Sequence, residues 1–320
     1  MRILLTGVAG FIGSHLSERL LSLGETVIGI DNYDPFYSRE FKEANLATSR
    51  SSERFTFFEE DIRNKKGIDQ IFEKFEIDAV VHLAGKASVR PSIESPEQYL
   101  EININGSLNL LEAMRHHKVS KLVFASSSSI YGNNDKTPFS EDDFVDHPIS
   151  PYAATKKSGE LFCHVYSHLF KMDINCLRFF TVYGPRQRPD LAIHKFTKLI
   201  DNQKPIALYG DQDTARDFTY IMDIVDGILG ALNKFDGFNV YNLGESRMIH
   251  MNELIETIEK ALDKKAIIER FPLPPGDVQK TYADISKARR EINYNPQYSF
   301  EDGIREFVSW YKDNKVALSL

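Results

Sequence analysis

Cysteine is scarce in this chain: Cys163 and Cys176 are the only two in 320 residues. Two thiols provide no disulfide framework, and free thiols in a reducing compartment are the simplest reading. No apolar run reaches the ~20 residues that a membrane-spanning helix needs. The opening Met1-Arg2-Ile3-Leu4-Leu5 lacks the apolar core and cleavage site of a secretion signal. Excess positive charge is missing too. With 39 Lys and Arg against 46 Asp and Glu, the net charge is −7, and the basic residues are scattered. That distribution excludes the clustered positive surface a nucleic-acid backbone requires, although one pocket with a few cations could still hold a nucleotide. A cytoplasmic protein, free of membrane and nucleic acid, is expected.

What is present is an alternation. Short β-branched runs at 2–6, 26–30, 55–59, 78–82, 121–125 and 174–179 alternate with helical patterns near 11–23, 66–75, 96–117 and 151–171. Successive strand–helix–strand units build a parallel sheet covered on both faces. The runs Ala79-Val80-Val81-His82-Leu83 and Leu122-Val123-Phe124-Ala125 are apolar almost throughout, as strands buried on both sides must be. Beyond about residue 180, prolines at 185, 189, 205, 272, 274, 275 and 296 break the rhythm. The expected fold is α/β: a Rossmann doubly wound parallel sheet over residues 1–180, with a smaller C-terminal α/β domain. A helix at 218–233 and a strand at 238–243 return 218–245 to the main sheet. Residues 181–217 and 246–320 form the second domain.

The turn after the first strand reads Thr6-Gly7-Val8-Ala9-Gly10-Phe11-Ile12-Gly13. Glycine permits positive φ and lets backbone approach a pyrophosphate. The helix that follows offers unpaired N–H groups and its positive dipole end. By themselves the glycines would mark only a tight turn. Asp31, at the end of the second strand and 18 residues past Gly13, adds the second element. An acid there binds the ribose 2′-hydroxyl and repels a 2′-phosphate, which selects NAD. Expected cofactor contacts are therefore Gly7, Gly10, Phe11, Ile12, Gly13, Asp31 and Asn32, joined by Asp61, Ile62, Leu83 and Ala84. Asp61 reads equally as a helix cap.

A second constellation opens a helix: Ser150-Pro151-Tyr152-Ala153-Ala154-Thr155-Lys156. Ser150 suits the cap and Pro151 the first helical position, so Tyr152 and Lys156 lie one turn apart on one face. A free phenol has a pKa of about 10, too high for a base at neutral pH. A lysine charge and a nicotinamide cation nearby would favour the phenolate. Without further context the pair is a surface Tyr and Lys. Upstream, Ala125-Ser126-Ser127-Ser128-Ser129-Ile130-Tyr131-Gly132 ends a buried strand. Ligands of open α/β sheets bind at the carboxyl ends of strands, so these hydroxyls would face a crevice; the alternative is an ordinary polar loop.

These motifs, together with Arg216-Asp217-Phe218, make the chain from Met1 to about Tyr311 resemble the extended short-chain dehydrogenase/reductase family, specifically its sugar-nucleotide 4-epimerases. The resemblance implies that Tyr152 is base and acid at the sugar 4-hydroxyl. Lys156 would hold the nicotinamide ribose and lower the Tyr152 pKa, and Ser127 would hydrogen-bond the reacting oxygen. Arg90 and Asn103 look like substrate-facing positions. Related dehydratases and decarboxylases carry an acid in the two residues before the Val/Ile-Tyr-Gly step. Here those residues are Ser128 and Ser129, so a second proton transfer lacks its catalyst, while oxidation and re-reduction at C4 need none.

Arg178-Phe179-Phe180-Thr181-Val182-Tyr183-Gly184-Pro185-Arg186-Gln187-Arg188-Pro189-Asp190 resembles the UDP-glucuronate 4-epimerase branch. Ser128, Ser129 and Thr181 would then offer hydroxyls to a C6 carboxylate, with Arg188 closing over it. Holding that carboxylate matters because a 4-keto uronate is a β-keto acid prone to lose CO₂. Arg186 and Arg188 read alternatively as grips on the diphosphate or as loop decoration. By resemblance Arg216 meets the diphosphate and Asp277 the uridine ribose. Three positions depart from relatives: Pro274 where many have Arg, Gly85-Lys86 where Ala and Gln are common, and Thr281 where some carry Tyr. A UDP-glucose or UDP-N-acetylglucosamine 4-epimerase, or a net NAD-dependent oxidoreductase, therefore stays open beside the UDP-glucuronate reading. Helices 96–117 and 151–171 are expected to form a homodimer through a helical bundle. His164 and His168 lack the glutamate and third ligand of a zinc site, so no metal is expected.

Overall fold

A computed structural model describes residues 1–210, 214–272 and 280–318. Seven strands form one parallel sheet: β1 (Arg2–Thr6), β2 (Thr26–Asp31), β3 (Phe55–Glu59), β4 (Ala79–His82), β5 (Lys121–Ser127), β6 (Asp173–Phe179) and β7 (Phe238–Leu243). Their order is β7-β6-β5-β4-β1-β2-β3. Direction of winding reverses between β1 and β4, and the crevice outside the carboxyl ends at that point is where such sheets bind ligands.

Strand residues alternate between two apolar layers, as the pleat requires. Leu4, Ile28, Val80, Leu122 and Ile174 pack on one face, toward helices Lys65–Lys74, Ser107–His116 and Pro151–Phe170. Ile3, Leu5, Val27, Val81, Val123 and Leu177 pack on the other, toward Phe11–Ser22 and Ile221–Asn233. Strand register leaves the polar turn residues at one edge of the sheet, where the cleft lies.

Three helical expectations change. Helix Arg39–Arg50, between β2 and β3, is an addition to the sequence reading. Its buried face includes Lys42, Asn45 and Ser49, so the apolar stripe that would announce it is thin. The pattern at 96–117 is not one helix: Pro96–Tyr99 leads into a π-helical turn, Leu100–Gly106, before Ser107–His116. Gly106 packs where a Cβ would fall 2.6 Å from Ile62. At 218–233, Phe218–Tyr220 is extended and pairs in parallel with Thr181–Tyr183, and the helix starts at Ile221. β-branched and aromatic residues there favour the strand.

The C-terminal lobe adds short pairs, Pro205–Tyr209 with Ile267–Phe271 and Ala215–Arg216 with Ile249–His250. Helices Ala192–Asp201, Met251–Leu262 and Phe300–Asn314 pack around them. Phe41 of helix Arg39–Arg50 meets Trp310 at 5.9 Å and His194 at 6.3 Å between ring centroids. This aromatic clasp ties the lobe to the sheet domain beside the cleft.

Candidate active site

A cleft of about 420 Å³ opens beyond the ends of β1, β2, β4 and β5, and Thr181, Val182, Arg188 and Leu191 of the following segment close its other side. Gly7 has φ +72°, and a Cβ on it would fall 2.8 Å from the Ala84 nitrogen. A Cβ on Gly13 would come 2.1 Å from the Gly7 carbonyl. Both glycines thus let backbone lie against backbone. Gly10 caps helix Phe11–Ser22 without a side-chain acceptor, so the first N–H groups and the positive helix end are available to an anion. The cradle fits a dinucleotide pyrophosphate.

At the adenosine end, Asp31 takes the Ala9 N–H at 3.1 Å and the Tyr33 N–H at 2.9 Å, through separate oxygens. Burial pushes its carboxyl up, and the Lys42 charge is the first influence drawing it back. Asn32 donates to Asp61 at 2.7 Å. Arg63 forks onto the same carboxylate at 3.0 and 2.7 Å, and these bonds hold Asp61 down at about 2. Ile62, Leu83 and Ala84 complete this wall. Each cofactor position expected from the sequence lines the one cleft.

At the other end, Ser150 accepts the Ala153 N–H at 3.1 Å and starts the helix that carries Tyr152 and Lys156. Lys156 donates to the Ala125 carbonyl at 2.8 Å and lies 5.5 Å above the Phe124 ring. Burial lowers it to about 8. Burial raises the Tyr152 phenol, and the Ser127 hydroxyl and the Arg188 charge pull it back. The Lys156 ammonium is turned to the end of β5 by its bond to Ala125.

Ser127 accepts the Ser129 N–H at 3.2 Å and curls the chain into one short turn, Ser128–Tyr131. Ser127 and Ser129 line the cleft. Ser128, expected there, does not; the turn sends consecutive side chains in different directions. Beneath the run lies a buried network that sequence reasoning missed. Ser126 donates to Glu160 at 2.6 Å, Arg178 forks onto Glu160 at 3.0 and 2.9 Å, and Arg178 donates to Tyr131 at 2.8 Å. One signal was legible: Glu160 follows Lys156 by four residues, on the face shared with Tyr152.

Among the expected substrate residues, Thr181 and Arg188 line the cleft. Arg188 is held by Asp190 at 2.9 and 2.7 Å and donates to Ser88 at 2.7 Å. Arg90 is exposed, its guanidinium 4.6 Å over the Tyr209 ring, outside the lining. Asn103 is spent on structure: its side chain accepts from Lys86 N–H at 2.8 Å and donates to the Lys86 carbonyl and the Thr155 hydroxyl. That explains the Gly85 departure, since a Cβ there would lie 2.9 Å from Asn103. Arg216 sits on its short strand, donating to the Ala215 carbonyl and outside the cleft lining. Its neighbour Asp217 is a buried hub that accepts the N–H groups of Glu245, Ser246 and Ala283. Arg186 pairs with Glu18 at 2.9 Å, which latches its loop to the first helix. Thr281 accepts the Asp217 N–H at 3.2 Å, away from the lining. Asp277 and Pro274 lie outside the described residues.

Comparisons with known proteins fit this geometry. The family model described as GDP-mannose 4,6 dehydratase matches residues 4–307. The UDP-glucuronate 4-epimerase of Thermodesulfobacterium geofontis is 46% identical over 312 residues, covering 97% of this chain and 96% of that protein. A crystal structure of UDP-glucuronic acid 4-epimerase from Bacillus cereus, in complex with UDP-glucuronic acid and NAD, superposes with a TM-score of 0.92 at 39% identity, covering 98% of this chain and 99% of that one. The Thermus thermophilus UDP-glucose 4-epimerase complex with NAD gives 0.88 at 34% identity, with 98% and 99% coverage.

Proposed function

Because the chain belongs to the GDP-mannose 4,6 dehydratase family of extended short-chain dehydrogenase/reductases, we propose that it interconverts UDP-glucuronate and UDP-galacturonate as an NAD-dependent 4-epimerase. One observation carries the reading: a single cleft joins the glycine turn and Asp31 at one end to Ser127, Tyr152 and Lys156 at the other. Relatives named for this activity, and a solved complex holding UDP-glucuronic acid with NAD, support it.

Bound NAD supplies the acceptor and later the donor of the C4 hydride. Tyr152 takes the proton of the sugar 4-hydroxyl and returns it after the 4-keto sugar has turned over, with Ser127 holding the reacting oxygen. Lys156, fixed by Ala125, contributes positive charge at the ribose beside them. Among the described residues that line the cleft, the carboxylates are Asp31, Asp34, Glu60 and Asp61, all at the end of β2 or on the segments after β2 and β3. None stands by the serines. That favours C4 inversion over dehydration, despite the description of the family model. Ser129, Thr181 and Arg188 are assigned to the C6 carboxylate, with Arg216 and Asp277 assigned to UDP.

Residues 1–180 with 218–245 are assigned to cofactor and the rest to substrate. A homodimer is proposed through helix Pro151–Phe170, where Leu161, Val165 and Leu169 are 55%, 44% and 60% exposed and fall on one face. No helix of the described residues is long and apolar enough to cross a membrane, and the unbonded thiols Cys163 and Cys176 favour a cytoplasmic setting.

The test incubates the purified protein with UDP-glucuronate and, separately, UDP-glucose, and resolves the C4 epimers by chromatography. Conversion of the uronate without net NADH is expected. Turnover of the neutral sugar alone would overturn the substrate assignment, and stoichiometric NADH the reaction type.

A further inference from the structure

Asp69, His116 and His117 form a cluster that the reaction above does not use, and none of them lines the cleft. Asp69 belongs to helix Lys65–Lys74, and the two histidines end helix Ser107–His116. His116 Nδ1 lies 3.7 Å and His117 Nε2 2.7 Å from the same Asp69 oxygen, Oδ1. The three ligand atoms all fall within 4.8 Å of one another. A hydrogen bond alone would need only His117. Two imidazoles converging on one carboxylate oxygen make a donor set that suits a divalent transition-metal ion. No sequence motif shows it, because 48 residues separate Asp69 from His117.

The spacing fits such an ion. Zinc binds imidazole nitrogen and carboxylate oxygen at about 2.0–2.2 Å, so two ligands of a tetrahedral site lie about 3.3 Å apart. The two nitrogen–oxygen separations bracket that value, and small shifts would seat the metal. His117 is held in place by its ring, which stacks on buried Phe72 with centroids 5.7 Å and planes 25° apart. His116 is exposed, which lets its ring adjust and leaves the remaining coordination position to water. The carboxyl end of a helix carries partial negative charge, which favours a cation there. Arg115, the adjacent cation, is turned onto Glu112 at 3.0 and 2.8 Å.

We propose that Asp69, His116 and His117 bind one divalent transition-metal ion of the zinc type, which clips helix Lys65–Lys74 to the end of helix Ser107–His116. Ile102, just before that second helix, lines the cleft, and the histidines stand at its opposite end, about 15 Å along its axis. The ion is therefore structural and takes no part in the chemistry of the cleft. An ion held only by the folded chain stabilises it by mass action.

The test treats the full-length protein with EDTA, removes the chelator, and titrates ZnCl₂ alone by calorimetry and by scanning fluorimetry. Wild type should take up one zinc per chain, and its melting temperature should rise with zinc. Asp69→Asn should weaken zinc binding at least about ten-fold, and His116→Ala combined with His117→Ala should abolish the stoichiometric site. Circular dichroism confirms that each variant is folded. His164→Ala is the control, because His164 and His168 stand exposed one turn apart on helix Pro151–Phe170; it should bind zinc as wild type does. Wild type without stoichiometric zinc overturns the proposal, as does binding that survives the paired histidine change or is lost in His164→Ala. A melting temperature that zinc does not raise in wild type overturns the clip.

Discussion

Lys156 and Ala125 are joined by a hydrogen bond of 2.8 Å, from a buried ammonium to the carbonyl near the end of β5. The bond locks the catalytic helix to the strand that delivers Ser127, so both arrive at the cleft in one fixed relation. It also explains why Lys156 remains beside an apolar ring at the cost of its hydration.

Burial holds Lys156 at about 8 against 10.5 in the unfolded chain. Between those values the unfolded chain binds more protons, so this group's contribution makes stability rise with pH from about 8 to 10.5. Activity runs the other way, because the ammonium is lost above about 8. The alkaline limb of the kcat profile should fall there. Lys156→Arg, which stays charged, should move that limb upward, and Lys156→Met should cut kcat by roughly 10²–10⁴.

Tyr152→Phe removes the proton carrier and leaves the cradle intact. NAD content after purification should match wild type, while turnover of UDP-glucuronate drops by about 10²–10⁴. An unchanged rate would assign the base to another group.

Glu160 and Arg178 form a bidentate pair with side chains 4% and 3% exposed. Removing one partner strands the other in the core. Glu160→Ala should lose about 3–5 kcal/mol of stability in urea unfolding. A loss under 1 kcal/mol would show that water or neighbours replace the carboxylate.

Glu245 carries a buried Oε2 without a hydrogen-bond partner. Desolvation first, then the charges of Asp223 and Asp217, push its carboxyl up to about 8 from 4.5. The folded chain therefore binds more protons between those values, and stability falls as pH rises through that window. Glu245→Gln should melt increasingly above wild type from pH 5 to 8, read by scanning fluorimetry; a constant offset would contradict the shift.

Leu161 and Leu169 stand exposed two turns apart on helix Pro151–Phe170. Leu169→Glu should convert the proposed dimer to a monomer by light scattering, and an unchanged mass would move the interface elsewhere.

Much of the site was legible because its motifs are local. Gly7, Gly10 and Gly13 fall within one turn, and Tyr152 and Lys156 within one helical turn, so spacing alone sets their geometry. Arg90, Ser128, Asn103 and Arg216 fall outside the cleft lining because their directions depend on how separate segments meet. Asn103 is turned by the π-helical stretch Leu100–Gly106 onto the Lys86 backbone. Ser128 is turned away by the short helix that Ser127 caps. Helix Arg39–Arg50 escaped notice because its inner face buries Lys42, Asn45 and Ser49, whose partners lie on other segments.

The order of strands and helices, the cradle for a dinucleotide and the Tyr–Lys pair were determined by the sequence itself, since each rests on period, glycine conformation or contacts within a few residues. Only the tertiary structure decided where charge ends up: Lys42 on the Asp34 carbonyl, Arg178 on Glu160, Arg188 on Asp190, Lys156 against Ala125. Desolvation and long-range pairing set those choices, and neither is written in the spacing of neighbouring residues.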